Sequence, residues 1–85
     1  MTKERAHEIA SIHVGYDIGS ISYYALQNGR NLHIQTLYIL PCISAVTYID
    51  IEDDDGDCIE SEMAYNNEDI EKMIFELCEH DEEKE

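Results

Sequence analysis

Residues 46–64 read Val46-Thr47-Tyr48-Ile49-Asp50-Ile51-Glu52-Asp53-Asp54-Asp55-Gly56-Asp57-Cys58-Ile59-Glu60-Ser61-Glu62-Met63-Ala64. Two β-prone runs, about Val46–Glu52 and about Asp57–Ala64, flank a cluster of acids and one glycine, the pattern of a β-hairpin. Asp55-Gly56 invites a two-residue turn. That turn would pair Ile51 with Glu60 and put an aliphatic and a carboxylate on one face, which is wrong for burial. A three-residue loop, Asp54-Asp55-Gly56, pairs Ile51 with Ile59 and Ile49 with Ser61, with Gly56 in the left-handed conformation that this loop needs. The apolar pattern therefore selects the longer loop. In that register the opposite face carries Tyr48, Asp50, Glu52, Cys58, Glu60 and Glu62. Asp50 lies across from Glu60, a like-charge pair that costs ~0.2–1 kcal/mol.

Upstream, Leu32-His33-Ile34-Gln35-Thr36-Leu37-Tyr38 alternates and reads as a first strand, ended by Pro41. Before it, Asp17–Asn28 fits two readings. Ile18, Ile21, Ala25 and Leu26 make one face of a helix capped by Asp17 and closed by Gly29. The same stretch holds Ile21-Ser22-Tyr23, a strand start, with Asn28-Gly29 as a hairpin turn. The helix is the preferred reading, although Gly19 and Ser20 weaken it. At the N-terminus Thr2 caps a helix over about Lys3–Val14, closed by Gly15, with Ala6, Ile9, Ala10 and His13 on its inner face. Downstream, Asn66 or Asn67 caps a last helix whose stripe is Ile70, Met73, Ile74, Leu77 and Cys78.

The sum is an α+β fold: one or two N-terminal helices, a three-stranded antiparallel meander, and a C-terminal helix packed on one sheet face. Its 85 residues suit a single domain with a modest core. The tail Asp81–Glu85 follows the end of the apolar stripe and opposes the helix dipole, so it is expected to fray.

Charge divides this domain in two. Residues 1–49 hold Glu4, Glu8 and Asp17 against Lys3, Arg5 and Arg30, and are neutral. Residues 50–85 hold all the other acids against Lys72 and Lys84, so the whole net charge of −15 falls there. Asp53, Asp54, Asp55 and Asp57 crowd the hairpin loop, and Glu68, Asp69, Glu71, Glu76 and Glu79 take outward positions on the last helix. Like charges held together repel, and no fold requires it. A salt-adapted surface would be acidic throughout, which residues 1–49 are not. Direct binding to nucleic acid or to an anionic membrane is disfavoured by −15.

Catalytic and metal motifs are weak. Asp53, Asp55, Gly56 and Glu62 fall at positions three, five, six and twelve of an EF-hand loop, but Ile51 at position one cannot ligate and the flanks read as strands. Cys42, Cys58, Cys78 and His80 lack zinc-ligand spacing, and nothing orients His7, His13 or His33 toward a nucleophile. No catalytic residue, metal or cofactor is assigned. Three widely spaced cysteines imply no disulfide framework and suit a reduced, cytoplasmic setting. The charged N-terminus is no signal peptide, and Leu37–Ile51 is too interrupted to span a membrane.

In length and charge the chain resembles the small acidic inhibitors that phages and mobile elements direct at host nucleic-acid enzymes: DNA mimics, anti-restriction and anti-CRISPR proteins. The resemblance implies a stoichiometric, non-enzymatic inhibitor that fills the cationic groove of a nucleic-acid-binding protein. Charges at ~6.7 Å spacing along a strand, beside a helix ridge, offer rows of anions to such a groove. The surface so defined comprises Asp50, Glu52, Asp53, Asp54, Asp55, Asp57, Glu60, Glu62, Glu68, Asp69, Glu71, Glu76 and Glu79, with Tyr48 as an anchor. The alternative is a general acidic module for a basic protein unrelated to nucleic acid. A homodimer is compatible with either.

Overall fold

The computed structural model describes residues 1–39 and 44–84. The expected end of a strand at Pro41 and the zinc candidate Cys42 lie outside them. Two helices cover one face of a four-stranded antiparallel meander. The helices are α1, Lys3–Val14, and α2, Asn67–Leu77. The strands are β1, Ile21–Ala25; β2, Asn31–Ile39; β3, Ser44–Glu52; and β4, Cys58–Ala64, in spatial order β1-β2-β3-β4. None of the described helices is long and apolar enough to cross a membrane.

Both helix starts follow from their caps. Thr2 Oγ1 accepts from Arg5 N at 3.1 Å, and Asn66 Oδ1 accepts from Asp69 N at 2.9 Å. From α1, Ala6, Ile9, Ala10 and His13 turn inward; from α2, Ile70, Ile74 and, just beyond its end, Cys78 do so. All but His13 join Leu32, Ile34, Ile49, Ile51 and Ala64 of the sheet in one core. Each fully buried Ile or Leu contributes about 1.5–3 kcal/mol, so these few aliphatics dominate the stability of a domain this small.

The sheet has four strands rather than three because Asp17–Asn28 is not a helix. Ile21–Ala25 pairs with Gln35–Asn31, and the chain reverses through Gln27–Gly29, closed by Leu26 N donating to Arg30 O at 2.8 Å. Asn28 and Gly29 both hold positive φ, 66° and 74°, which turns the chain back sharply. The helical face read from Ile18, Ile21, Ala25 and Leu26 is mostly solvent-facing: Ile18 and Ile21 are 45% and 50% exposed. The inward residues of β1 are Ser22 and Tyr24. Ser22 is buried only because His13 Nδ1 lies 2.8 Å from its hydroxyl. A strand that buries a serine shows no apolar alternation.

The hairpin of β3 and β4 begins as expected and then departs. Asp53 N donates to Asp57 O at 2.9 Å, leaving Asp54, Asp55 and Gly56 as a three-residue loop with Gly56 at φ 83°. Glu52 pairs with Cys58, also in the expected register. A β-bulge at Ile59 then adds one residue to β4, so Ile51 pairs with Glu60, Asp50 with Ser61 and Ile49 with Glu62. Neither expected pair, Ile51 with Ile59 or Ile49 with Ser61, forms. The shift brings Ala64, rather than Met63, beneath α2, where Ile70 and Ile74 pack. A methyl group lets the helix lie against this edge strand; a methionine would not.

The tail is ordered rather than frayed over its described residues. Gln27 N donates to Glu82 O at 2.8 Å and Lys84 N to Ala25 O at 2.9 Å. Arg5 grips Glu83 with Nε and Nη2, at 2.5 Å and 3.2 Å, and the Met1 amino group donates to the carbonyls of Cys78 and Asp81. Residues 82–84 thus run beside the end of β1, where main-chain bonds outweigh the unfavourable dipole.

Candidate functional site

The bulge at Ile59 redistributes the acids. Asp50 and Glu52 lie on the open, helix-free face of the sheet with Tyr48. Glu60 and Glu62 turn to the other face, toward α2. The single acidic hairpin face read from the sequence does not form, and neither does the repulsive pair of Asp50 with Glu60. Asp50 instead faces Ser61, whose Oγ donates to Asp50 Oδ1 at 2.5 Å.

Asp53, Asp54, Asp55 and Asp57 stand at the hairpin tip. Asp53 Oδ1 accepts from the amides of Asp55 and Asp57, both at 2.9 Å, which stiffens the loop. The carboxylates of Asp53, Asp55 and Asp57 lie within 4.8 Å of one another. The flanks are strands, unlike those of an EF-hand. Asp54 folds back so that its carboxylate rests over Gly29, where a Cβ would stand 2.4 Å from it.

Along α2 and the turn that follows it, the acids fall into two groups. Glu68 and Asp69 occupy the first turn, where the helix dipole favours them, and Glu71 Oε1 lies 2.9 Å from His7 Nδ1. At the other end Glu76 and Glu79 approach Glu60 of β4. With Asp81, Leu77, His80, Asn28 and Arg30 they line a cleft of about 490 Å³. Arg30 Nη1, 3.6 Å from Asp81 Oδ1, is its one arginine or lysine. Four carboxylates therefore surround a concave surface held by β4, α2 and the strapped tail. Asp81 joins this site although it begins the stretch expected to fray; only the tail's main-chain bonds place it there.

Two further features concern titratable groups. His33 lies on the open sheet face, stacked on Tyr23 with ring centroids 4.8 Å apart. Its Nδ1 is 3.5 Å from Asp50 and 3.7 Å from Glu52, and neither ring nitrogen has a hydrogen-bond partner. Alternation marks His33 as a strand residue but says nothing of these neighbours. His13 sits under α1 with Nδ1 on Ser22 and Nε2 2.9 Å from Thr36 Oγ1, which in turn lies 2.8 Å from Thr47 Oγ1. Burial holds the His13 imidazole below its ordinary pKa. Here the histidine is a satisfied core group, not a base aimed at substrate.

Neither described cysteine has a thiol whose pKa is lowered. Burial, then Asp81, pushes Cys78 up to about 12. Partial desolvation, then the Asp50 and Glu52 carboxylates, raises Cys58, which lies in the open near the hairpin tip.

No protein-family model matches this chain, and neither a curated protein nor a solved structure shows significant similarity to it.

Proposed function

We propose that this protein is a stoichiometric inhibitor that occupies the cationic groove of a nucleic-acid-binding protein. The observation that carries the reading is the cleft where Glu60, Glu76, Glu79 and Asp81 converge on ordered backbone. Lysine and arginine side chains that grip phosphates would find carboxylates already in place, so little conformational entropy is lost on binding. Glu62, one strand repeat from Glu60, and the hairpin tip extend the anionic surface along β4. Asp50, Glu52 and Tyr48 point to the opposite side of the sheet and drop out of this surface. Glu68, Asp69 and Glu71 act first in α2 and in its contact with His7.

The test is a pull-down from host lysate, with and without nuclease, followed by competition between this protein and nucleic acid for the captured partner. Affinity should fall by orders of magnitude between about 0.05 and 0.5 M salt, because the charges are screened over ~8–10 Å. Glu60→Lys combined with Glu76→Lys should abolish the competition. A flat salt response would sink the proposal. A basic partner that binds this protein and its nucleic acid together would mark a general acidic module instead.

A further inference from the structure

Arg30 reaches into the acidic cleft from the neutral part of the chain. It follows the β1–β2 turn, yet it lies among carboxylates supplied by β4, α2 and the tail. Its main chain is fixed. Arg30 O accepts from Leu26 N at 2.8 Å, and an extended backbone, φ −97° and ψ 157°, carries the chain into β2. Its side chain is less restrained: it is 41% exposed, and Nη1 stands 3.6 Å from Asp81 Oδ1, too far for a hydrogen bond. Asp81 is the opposite case. Its side chain is only 11% exposed, and among the described residues Arg30 is the one side-chain cation paired with it. A carboxylate so enclosed is unfavourable without a cation beside it. In the free protein Arg30 takes that place.

We infer that Arg30 is an internal stand-in for the partner's cation, seated on Asp81 in the free protein and displaced when a lysine or arginine of the partner enters the cleft. This deepens the groove-blocking reading and rests on it. Arg30 engages one carboxylate loosely, whereas a row of cations also meets Glu60, Glu76 and Glu79. A lone cation must therefore compete with Arg30 on equal terms, and clustered cations win. Arg30 so selects for the dense positive charge of a phosphate-binding groove. An ion pair this exposed changes binding by no more than about fivefold, so the contact tunes the site without closing it.

Hexalysine is a suitable probe. The chain has two arginines, Arg5 and Arg30, whose Nε–H signals can be followed by NMR, and a lysine peptide adds none. The peptide should bind the full chain at low salt, and Glu60→Lys combined with Glu76→Lys should abolish that binding. As the peptide binds, the Arg30 signal should move to the position of a free arginine, while that of Arg5, held by Glu83, should stay. Arg30→Gln should tighten the peptide about threefold to fivefold. Lys3→Gln, the same change of charge on α1 outside the cleft, should tighten it by less than about twofold. Should Arg30→Gln disturb folding by circular dichroism, the wild-type Arg30 signal decides alone. An Arg30 signal that stays in place as the peptide binds, or equal effects of Arg30→Gln and Lys3→Gln, would overturn the inference and leave the groove-blocking reading standing. A peptide that fails to bind, or that binds the doubly substituted cleft equally well, would overturn both.

Discussion

Ser61 Oγ donates a 2.5 Å hydrogen bond to Asp50 Oδ1 across the β3–β4 pair. Where a three-residue loop alone would have set a glutamate against Asp50, the bulge at Ile59 brings a hydroxyl. A repulsion becomes a charge-assisted hydrogen bond, and Glu60 moves to the far side of the sheet, into the acidic cleft. One extra residue thus relieves the hairpin and builds the site.

Ser61→Ala should therefore destabilise the fold by about 0.5–1.5 kcal/mol, the range for a hydrogen bond that is not deeply buried. Glu60→Thr should change stability by less than that, because Glu60 does not face Asp50. Urea unfolding of both variants decides the matter. A stabilising Glu60→Thr with a silent Ser61→Ala would mean that the bulge is absent.

Truncation after His80 should cost stability. It removes the main-chain bonds of Glu82 and Lys84 to the end of β1 and the grip of Arg5 on Glu83. At about 0.5–1.5 kcal/mol per hydrogen bond, a loss of about 1–3 kcal/mol is expected. Arg5 and Glu83 are about one-third exposed, so Glu83→Gln alone should cost less than about 1 kcal/mol. Hydrogen exchange of the Gln27 and Lys84 amides provides a second readout: amides as fast as in a free peptide would show a loose tail.

The buried His13 should make the protein acid-sensitive below neutrality. In the unfolded chain it titrates near 6.5, and in the folded protein lower. As pH falls below 6.5, the unfolded chain takes up a proton that the native state refuses, so stability declines until the folded value is passed. Above 6.5 both states are neutral and this contribution to the slope vanishes. His13→Gln should flatten the decline between pH 7 and 5 relative to wild type. His13→Ala should cost about 1–3 kcal/mol at pH 7 by leaving the Ser22 hydroxyl without its imidazole partner and Thr36 with Thr47 alone. Identical pH slopes for wild type and His13→Gln would remove His13 as the cause.

Thiol labelling should separate the cysteines. In a Cys42→Ser background, native protein at pH 8 should react at Cys58 alone, more slowly than a free thiol. Cys78, buried and held at about 12, should react only after unfolding. Rapid native labelling of Cys78 would mean that α2 opens readily.

Much of this architecture is legible in the chain itself. Thr2 and Asn66 announce both helices, because a cap depends only on residues within one turn. The stripe through Ile70, Ile74 and Cys78 and the alternation from Leu32 to Ile34 identify the inner faces, since burial follows the local period of helix or strand. Gly56 marks the loop, and the imbalance between residues 1–49 and 50–85 marks where the charge lies. What tertiary structure alone decides is sidedness. β1 is a strand because His13, nine residues earlier, satisfies Ser22 and so lets a polar residue face inward. The tail is ordered because Arg5 and the end of β1 meet it from 78 residues and more than fifty residues away in sequence. Glu60 faces the cleft rather than Asp50 because α2 needs a small residue, Ala64, beneath it and the Ile59 bulge supplies the half-turn of register. Each of these depends on contacts between distant parts of the chain, and no local period encodes them.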